Sequence, residues 1–386
     1  MPPSRTNISL TSSELKSCAI DLPVDGPSVL ACGSETNNRF CITSGRKAYL
    51  SPKMGDLTDY GNFEVYRRYI ADAISILNVH PEIVAFDMHP DYVSTRYALN
   101  SGIKQSIAVQ HHHAHIASCM AEYGINDKII GVALDGTGYS PDGTIWGGEF
   151  LISNLCDFER IAHFKQYCMP GGEEAIRSPF RMALSYLYAE APDYIDAFKT
   201  SLAPNVTDAD FQIIMQLIEK KIRSPITSSA GRLFDAVSAL TGVCRNISYQ
   251  GEAAITLQAI ANKQVESRYD FELFPGNTPI ILSFGPMIRQ IISDLSAKKD
   301  QSFISGKFHN TIAEGVAETC ALIRSRDNIN NVALSGGVFQ NSLLLTLTTN
   351  KLSTRDFKVY THNLIPSSDA GLAIGQAIIA LSRGST

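Results

Sequence analysis

Short apolar runs along the chain are separated by polar, glycine-containing turns, and this pattern predicts strand hairpins. The apolar runs 29–32 and 40–43 flank a polar turn and form the first predicted hairpin. The runs 129–134 and 146–151 flank a glycine-rich turn, 135–143, and form a second hairpin about 100 residues further along. Two similar hairpins indicate a duplicated unit with a cleft between its halves.

Longer periodic segments predict the helices and the remaining strands. The pattern predicts a helix over 63–77, a strand over 83–86 and a last helix over 370–381. Another strand, over 332–334, leads directly into a Ser-Gly-Gly turn. Residues 1–27 are polar and rich in proline and serine, so we expect a loosely docked lead-in. The alternation of strands and helices indicates an α/β fold.

The composition is that of a folded globular protein. Apolar residues make up 44% and charged residues 18% of the 386 positions, and the formal net charge is -5. Because no block of lysine and arginine is present, we do not expect binding to nucleic acid. No apolar run reaches the ~18 residues that cross a bilayer, and the start lacks a secretory core, so no membrane association is expected. The eight scattered cysteines, without a Cys-x-x-Cys pair, indicate reduced thiols in the cytoplasm.

Four of the nine histidines lie within residues 111–115, and they are the strongest candidates for a catalytic or metal-binding role. On a helix, His111 and His115 stand on one face and can share a cation, because they are four residues apart. His112 and His113 would point elsewhere, as packing residues. A polar helix end that happens to be rich in histidine fits the same spacing, so the metal site is one of two interpretations.

A catalytic metal would also need oxygen ligands. The candidates are Asp135, in the turn of the second hairpin, and Asp369, just before the last helix. Each also fits a purely structural role, because aspartate is common both in turns and at helix N-caps. The residue pattern alone leaves both interpretations open.

Two glycine turns follow apolar strands, one at 136–138 and one at 335–337. Without side chains, their backbone N–H groups can approach an anion closely. Neither turn matches a P-loop or a dinucleotide fingerprint, but two such turns in two halves of a duplicated fold suit a nucleotide in the cleft. No Gly-x-Ser-x-Gly elbow is present, and Cys119 fits a buried thiol, so we expect the nucleophile to arrive on the substrate.

Several long motifs together resemble the C-terminal transferase domain of HypF-type carbamoyltransferases, which act in hydrogenase maturation. The resembling segments are 86–97, 109–115, 134–138 with 146–150, 231–237, 308–311 and 334–341. The resemblance extends from about residue 28 to the end of the sequence. That domain is similar to the tRNA threonylcarbamoyl-transfer enzymes and to antibiotic O-carbamoyltransferases.

The resemblance implies an α/β architecture of the actin-like/sugar-kinase (ASKHA) fold, with two ribonuclease-H-like lobes around a nucleotide-binding cleft. We therefore expect a lead-in segment over 1–27, a first lobe over 28–125 and a second lobe with insertions over 126–386. In this arrangement the last helix, 370–386, is able to pack back on the first lobe. The duplicated hairpins agree with two lobes of the same kind.

The resemblance also implies the residues of the site. A divalent metal, iron in preference to zinc or magnesium alone, would be held by His111, His115, Asp135 and Asp369. The nucleotide, ATP or carbamoyl-adenylate, would contact Asp135, Gly136, Thr137, Gly138, Gly148, Glu149, Ser335, Gly336, Gly337 and Asn341. The catalytic residues would be His111, His115 and His309. The general base stays open among His112, His113 and His309.

The implied reaction moves a carbamoyl group from carbamoyl-adenylate, itself made from carbamoyl phosphate and ATP, to an acceptor. In hydrogenase maturation the acceptor is the C-terminal cysteine thiol of a HypE-type partner, and the product becomes the cyanide ligand of the nickel–iron site. The alternatives are O-carbamoylation of a small molecule or another protein, and a non-catalytic ATP-binding interaction module. Transfer to tRNA fits the motifs less well.

Departures from the family pattern bear on these expectations. Complete HypF proteins also carry acylphosphatase-like, zinc-finger and YrdC-like adenylate-forming domains, which we do not find in this sequence. We therefore expect a stand-alone relative in preference to a truncated piece, with a separate YrdC-like protein supplying the adenylate. Residues 249–252 are Tyr-Gln-Gly-Glu where the family has Tyr-Glu-Gly-Gln, and Phe180 stands in place of Trp, which leaves the acceptor open.

Overall fold

The computed structural model describes residues 9–204 and 206–384. The first part of the chain builds a six-stranded sheet with helices packed against it. Its strands are β1 (Ala19–Asp21), β2 (Val29–Ala31), β3 (Cys41–Ser44), β4 (Lys47–Leu50), β5 (Ile83–Asp87) and β6 (Gln105–Val109). Its helices are α1 (Ser12–Lys16), α2 (Tyr60–Leu77), α3 (Val93–Leu99) and α4 (His111–Glu122).

The second part builds a nine-stranded sheet. Its strands are β7 (Ile129–Tyr139), β8 (Ile145–Ser153), β9 (Phe158–Phe164), β10 (Tyr167–Cys168), β11 (Ile226–Thr227), β12 (Glu272–Phe274), β13 (Ile280–Ser283), β14 (Asn331–Ser335) and β15 (Lys358–Thr361). Its helices are α5 (Glu173–Arg177), α6 (Pro179–Glu190), α7 (Ile195–Leu202), α8 (Asp208–Lys220), α9 (Ala230–Leu240), α10 (Glu252–Ile260), α11 (Gly285–Ser296), α12 (Gln301–Asp327), α13 (Ser342–Ser353) and α14 (Leu372–Gly384). Short 3-10 helices occur at Pro192–Tyr194, Gly337–Gln340 and Asp369–Gly371. Within the described ranges, no helix combines the length and the apolarity needed to cross a bilayer.

Both sheets contain the same five-strand arrangement. In the first, β2, β3 and β4 form an antiparallel meander, and β5 and β6 continue on the other side of β2 as parallel strands. In the second, β7, β8 and β9 form the meander, and β14 and β15 continue in parallel from β7. This is the strand order of ribonuclease-H-like lobes, so the predicted ASKHA fold and the duplication are confirmed.

The described part of the segment before β2, residues 9–27, is packed on the first sheet rather than loosely docked, which corrects the expectation for these residues. Thr11 closes a capping box at the start of α1, and β1 pairs antiparallel with β4. Leu15 and Leu22 are buried, and these apolar side chains within a polar stretch give the segment a face to bury. Residues 1–8 of the predicted lead-in lie outside the described residues.

Helices α4 and α14 cross closely in the layer between the two sheets. They share one buried apolar cluster with strands of the first sheet (Val29, Ala85) and of the second (Ala133, Ala333). A Cβ atom built on Gly375 would lie 1.8 Å from the carbonyl oxygen of Ala114, so only glycine permits this approach. Helix α14 thus packs on an element of the first part of the chain, while residues 385–386 of the predicted last helix lie outside the described residues.

We expect the substitution Gly375→Ala to lower the free energy of unfolding by about 1–3 kcal/mol, because the added methyl group forces α14 away from α4. Urea denaturation measures the change. Gly276→Ala is the matched control, since a Cβ atom there meets no other atom within 4 Å. Equal stability of the two variants would contradict the close crossing.

Candidate metal and nucleotide site

Two buried histidines point from the start of α4 into the junction of the two sheets. The side chain of Gln110 caps α4 by accepting the N–H of His113 at 2.9 Å, so that the helix begins at His111. One turn later His115 follows on the same face, as the spacing predicted. Nδ1 of His111 hydrogen bonds with Oδ2 of Asp87 at 2.7 Å, and this fixes the orientation of the ring.

The structure brings His111, His115, Asp135 and Asp369 together, with one ligand atom of each lying within 4.8 Å of the others. Nε2 of His115 lies 2.9 Å from Oδ2 of Asp135 and 3.6 Å from Oδ1 of Asp369. Nε2 of His111 lies 3.6 Å and 3.7 Å from the same two oxygens. Ligand atoms roughly 2.0–2.2 Å from one cation are about 2.8–4.4 Å apart, depending on the angle between them, so the histidine–carboxylate separations suit a common ion.

Unsatisfied polar atoms in this cluster also fit a cation. Among the described residues, Nε2 of His111, Nε2 of His115 and Oδ2 of Asp135 are buried without a hydrogen-bond partner of good geometry. Buried polar atoms rarely stay unpaired, so the arrangement calls for a further group between them. Asp369 is not the N-cap of the last helix: Ser368 precedes the 3-10 turn, and Asp369 extends its carboxylate to the histidines. The other oxygen of Asp135, Oδ1, accepts the N–H of the neighbouring Gly136 at 2.7 Å.

Electrostatic interactions in the cluster favour ion pairs. Burial alone would lower the pKa of His111, but the nearby carboxylates of Asp87, Asp135 and Asp369 outweigh it and raise the pKa well above its ordinary value. The pKa of His115 is raised against burial in the same way. Burial would raise the pKa of Asp135, but the two histidines hold it well below its usual range, and they lower the pKa of Asp369 to about 2.

The two predicted glycine turns lie side by side, because β7 and β14 are neighbouring parallel strands. A Cβ atom on Gly336 would lie 2.2 Å from the carbonyl oxygen of Leu134, and its φ of +103° also favours glycine. A Cβ atom on Gly337 would lie 3.0 Å from Oδ1 of Asp135. The turn predicted over 135–143 starts later than expected, since β7 continues through Thr137 to Tyr139 with a register shift between Leu134 and Gly138.

Glu149, predicted to contact the nucleotide, is fully buried and engaged by protein donors. Oε1 accepts the N–H groups of Gly147 and Gly148 and the hydroxyl of Ser228, and Oε2 accepts Nε of Arg160 at 2.6 Å. A Cβ atom on Gly148 would lie 2.4 Å from the carbonyl oxygen of Ser228. In this structure both residues hold β8 against the segment before α9.

The structure does not bring His309 to the histidine–aspartate cluster. Its Nδ1 hydrogen bonds with the carbonyl oxygen of Ser305 at 2.8 Å, and its Nε2 lies 2.9 Å from Nδ2 of Asn341. Asn341 in turn caps α13 by accepting the N–H of Leu344. His309 therefore lies in the core behind the Ser335–Gly337 turn.

His112 and His113 are both buried, on other faces of α4 than His111 and His115. His113 hydrogen bonds through Nε2 with the carbonyl oxygen of Asn154 at 2.8 Å. The ring of His112 lies 5.4 Å from that of His111, centroid to centroid, and fills the space beside Gly138. Both side chains are therefore packed inside the protein in this structure.

Three residues at the site were not predicted from the sequence. Asp87 holds His111, and its position just after the apolar run 83–86 was the available signal, because functional side chains often follow a strand's carboxyl end. The guanidinium of Arg232 lies beside Gly136, with Nη2 4.0 Å from where a Cβ atom would stand. His362 hydrogen bonds through Nε2 with Oγ of Ser335 at 2.7 Å, and no sequence pattern indicated it.

Two family models match the chain, the HypF Kae1-like domain over residues 24–122 and the second subdomain of the carbamoyltransferase Kae1-like domain over residues 131–376. This chain belongs to the HypF carbamoyltransferase family. The HypF match spans both lobes described above and includes all four residues of the histidine–aspartate cluster.

Individual HypF relatives agree with the family assignment. Carbamoyltransferase HypF2 of Cupriavidus necator is 31% identical over 95% of this chain and 48% of its own length. A HypF homolog of the same organism is 32% identical over 92% of both chains. The crystal structure of full-length HypF in its phosphate- and nucleotide-bound form has a TM-score of 0.89 at 40% identity, covering 94% of this chain and 57% of that one. The chain thus spans about half the length of most curated HypF relatives.

We expect the free energy of unfolding of the metal-free protein to fall as the pH is lowered, because its buried histidines stay neutral in the native state. Burial lowers the pKa of His309 to about 4, below the ~6.5 of an unfolded chain. Below pH 6.5 the unfolded chain therefore binds a proton that the native chain does not, which costs about 2 kcal/mol between pH 7 and pH 5. Denaturation of His309→Asn at both pH values should show a drop smaller by this amount. The same drop in wild type and variant would contradict the assignment of a neutral, buried His309.

Proposed function

We propose that this chain is a carbamoyltransferase of hydrogenase maturation, which moves a carbamoyl group from carbamoyl-adenylate to the C-terminal cysteine thiol of a HypE-type partner. The observation that carries the proposal is the cluster of His111, His115, Asp135 and Asp369 beside two glycine turns, in a chain of the HypF family. Curated relatives of this domain are named as carbamoyltransferases.

His111, His115, Asp135 and Asp369 would hold a divalent cation. A mixture of imidazole and carboxylate donors suits iron, zinc or manganese better than magnesium or calcium, which prefer oxygen ligands, and among these we propose iron. When bound, the cation supplies positive charge that neutralises the nucleotide phosphate. Asp87 would orient His111 by holding its Nδ1, which leaves Nε2 directed into the cluster.

The glycine turns would bind the nucleotide. Gly136 and Gly337 have no side chains of their own that would keep a phosphate away from the backbone, although Oδ1 of Asp135 accepts the N–H of Gly136 and lies 3.0 Å from where a Cβ atom of Gly337 would stand. Arg232 adds positive charge beside the first turn: its Nε forms a buried ion pair with Oδ2 of Asp235 at 2.8 Å, and its Nη2 lies on the side of Gly136. These groups would stabilise the AMP leaving group while the carbamoyl–phosphate bond breaks and the carbon–sulfur bond forms.

The acceptor thiol must lose its proton as it attacks. Of the three candidate bases, His112 is the best placed, because its ring contacts that of His111 and lies against Gly138. His113 and His309 are instead hydrogen bonded to backbone carbonyl oxygens away from the cluster. The ring of His112 is nevertheless fully buried, and burial beside His111 lowers its pKa to about 3, so the general base stays open among His112, His113 and His309.

A second acceptor class follows from one surface feature. The departure from the family pattern at 249–252 lies on the surface, where Tyr249 is 53% exposed and Gly251 precedes α10. Surface residues at this position are free to contact an acceptor, so O-carbamoylation of a small molecule or of another protein is the second candidate. The source of the adenylate would be a separate YrdC-like protein acting on ATP and carbamoyl phosphate.

We expect the partner's terminal cysteine to gain the mass of one carbamoyl group when a HypE-type protein is incubated with this chain, a YrdC-like protein, ATP, carbamoyl phosphate and ferrous iron. Intact-mass spectrometry measures the gain, and omission of this chain is the control. A HypE-type protein without its C-terminal cysteine should stay unmodified.

The result also separates the candidates. A gain without the YrdC-like protein would mean that this chain forms the adenylate itself. No gain on the HypE-type partner, with nucleotide and metal bound to this chain, would contradict the proposed acceptor and favour the second class.

We expect His111→Ala and His115→Ala each to lose bound iron and carbamoyl transfer while the fold stays intact, because each removes one of four ligands. Elemental analysis after anaerobic loading measures the iron, and circular dichroism the fold. Binding of iron to wild type should tighten as pH rises, since the raised pKa values of both histidines make protons compete with the metal. His163→Ala is the control, because His163 bonds to the backbone of Phe164 outside the cluster. Iron at the wild-type level in either ligand variant would contradict the assignment.

A further inference from the structure

A buried carboxylate at the far end of α4 holds the chain segment that leads to Asp369. Glu122 is the last residue of the helix that begins with His111, and its side chain is only 4% exposed. Its Oε1 accepts the N–H groups of Asn363 at 2.9 Å and Leu364 at 2.7 Å, and its Oε2 accepts that of Ile365 at 3.1 Å. One carboxylate thus binds three consecutive backbone donors.

These contacts matter because hydrogen bonds to a buried charge are strong. A hydrogen bond to an ionised carboxylate is roughly twice as strong as one between neutral groups. The hydroxyl of Tyr123 adds a bond to the carbonyl oxygen of Thr361 at 2.7 Å, just before the bound segment. The end of α4 therefore holds the last residue of β15, Thr361, and the first residues of the loop after it, 363–365.

The same loop is tied to the Ser335–Gly337 turn. His362 bonds through Nε2 with Oγ of Ser335 at 2.7 Å, while its Nδ1 lies 3.8 Å from Oε2 of Glu122. Further along, the carbonyl oxygen of Ser367 accepts the N–H of Gly336 at 3.0 Å. Loop 361–369 is thereby connected to α4 on one side and to the glycine turn on the other.

We infer that Glu122 is a positioning residue of the site, which acts through the loop to set the place of Asp369. Helix α4 then has two tasks: its first turns present His111 and His115, and its last residue holds the loop that presents the opposing carboxylate. This inference rests on the cation site of the proposed function. Glu122 itself does not reach the cluster, because its carboxylate is engaged by the loop.

The inference predicts a loss of metal affinity on Glu122→Gln. The amide keeps the shape of the side chain but replaces one acceptor oxygen by a donor, which opposes at least one of the three loop N–H groups. Loss of residues that orient metal ligands commonly weakens binding 10- to 100-fold, and we expect a change in this range. Titration with cobalt(II) alone, followed by its visible absorption, measures the affinity without any turnover.

A double-mutant comparison tests whether Glu122 acts through Asp369. If it does, Glu122→Gln should weaken cobalt binding strongly in wild type but hardly further in Asp369→Asn. Glu190→Gln is the matched control: its side chain is 5% exposed and bonds Lys165, Tyr167 and Arg289, yet it should bind cobalt as wild type does. Additive losses, or equal losses in the Glu122 and Glu190 variants, would overturn the inference.

Hydrogen exchange distinguishes this inference from the metal proposal. In metal-free Glu122→Gln, the amides of 363–371 and of Gly336 should exchange faster, while those of β7 keep their protection. Exchange at the wild-type rate would overturn the positioning role whatever the metal data show. If wild type binds no cobalt, the proposed cation site is contradicted. Faster amide exchange in Glu122→Gln that extends to Asp369 would still support the positioning role.

Discussion

Two imidazoles and three carboxylates lie together at the junction of the two lobes, and all of them except the partly exposed Asp369 are buried. This cluster constrains the structure around it. Charged groups out of water are tolerated only when partners balance them. This balance shows in the pKa values, which are raised for His111 and His115 and lowered for Asp135 and Asp369. Protonated imidazoles thus neutralise the carboxylates when no cation is bound. Protons and the proposed metal would therefore compete for the same atoms, and either would help to neutralise the junction.

The cluster can form only because backbones approach one another closely around it. Gly138 lies against His112, Gly336 against the carbonyl of Leu134, and in each place a Cβ atom would overlap a neighbour. The glycines are required because they let α4, β7 and β14 converge, which brings side chains from distant parts of the sequence within reach of one ion.

The sequence predicted best where a physical pattern is local. Paired apolar runs around polar turns gave both hairpins, and the four-residue spacing placed His111 and His115 on one face. The turn over 135–143 was predicted to start too early, because glycine and aspartate within β7 resemble turn composition although β7 pairs with β8 on both sides of a register shift. No spacing relates Asp135 to Asp369; only the family resemblance predicted that both meet the histidines.

Residues predicted to contact the nucleotide or to act in catalysis show a different limit. Glu149 and His309 are polar and stand within long motifs, yet both are buried among protein partners. A sequence pattern indicates that such a residue matters, but not which way its side chain points on an element that is covered on both faces. Conversely, no spacing between sequence positions connects Asp87 or Glu122 with its partner, because the partners are a ring nitrogen and backbone amides elsewhere in the chain.

The position of α14 in the fold has a consequence for biosynthesis. This helix covers β2 and β5 in one apolar cluster, yet it is translated more than 280 residues after β5. While the ribosome makes the second lobe, the inner face of the first sheet has no partner, and its apolar strands stay exposed to water or to chaperones. The first lobe is thus the first to be synthesised and among the last to be completed. A nascent chain stalled before Leu372 would expose an apolar sheet face that is prone to aggregation.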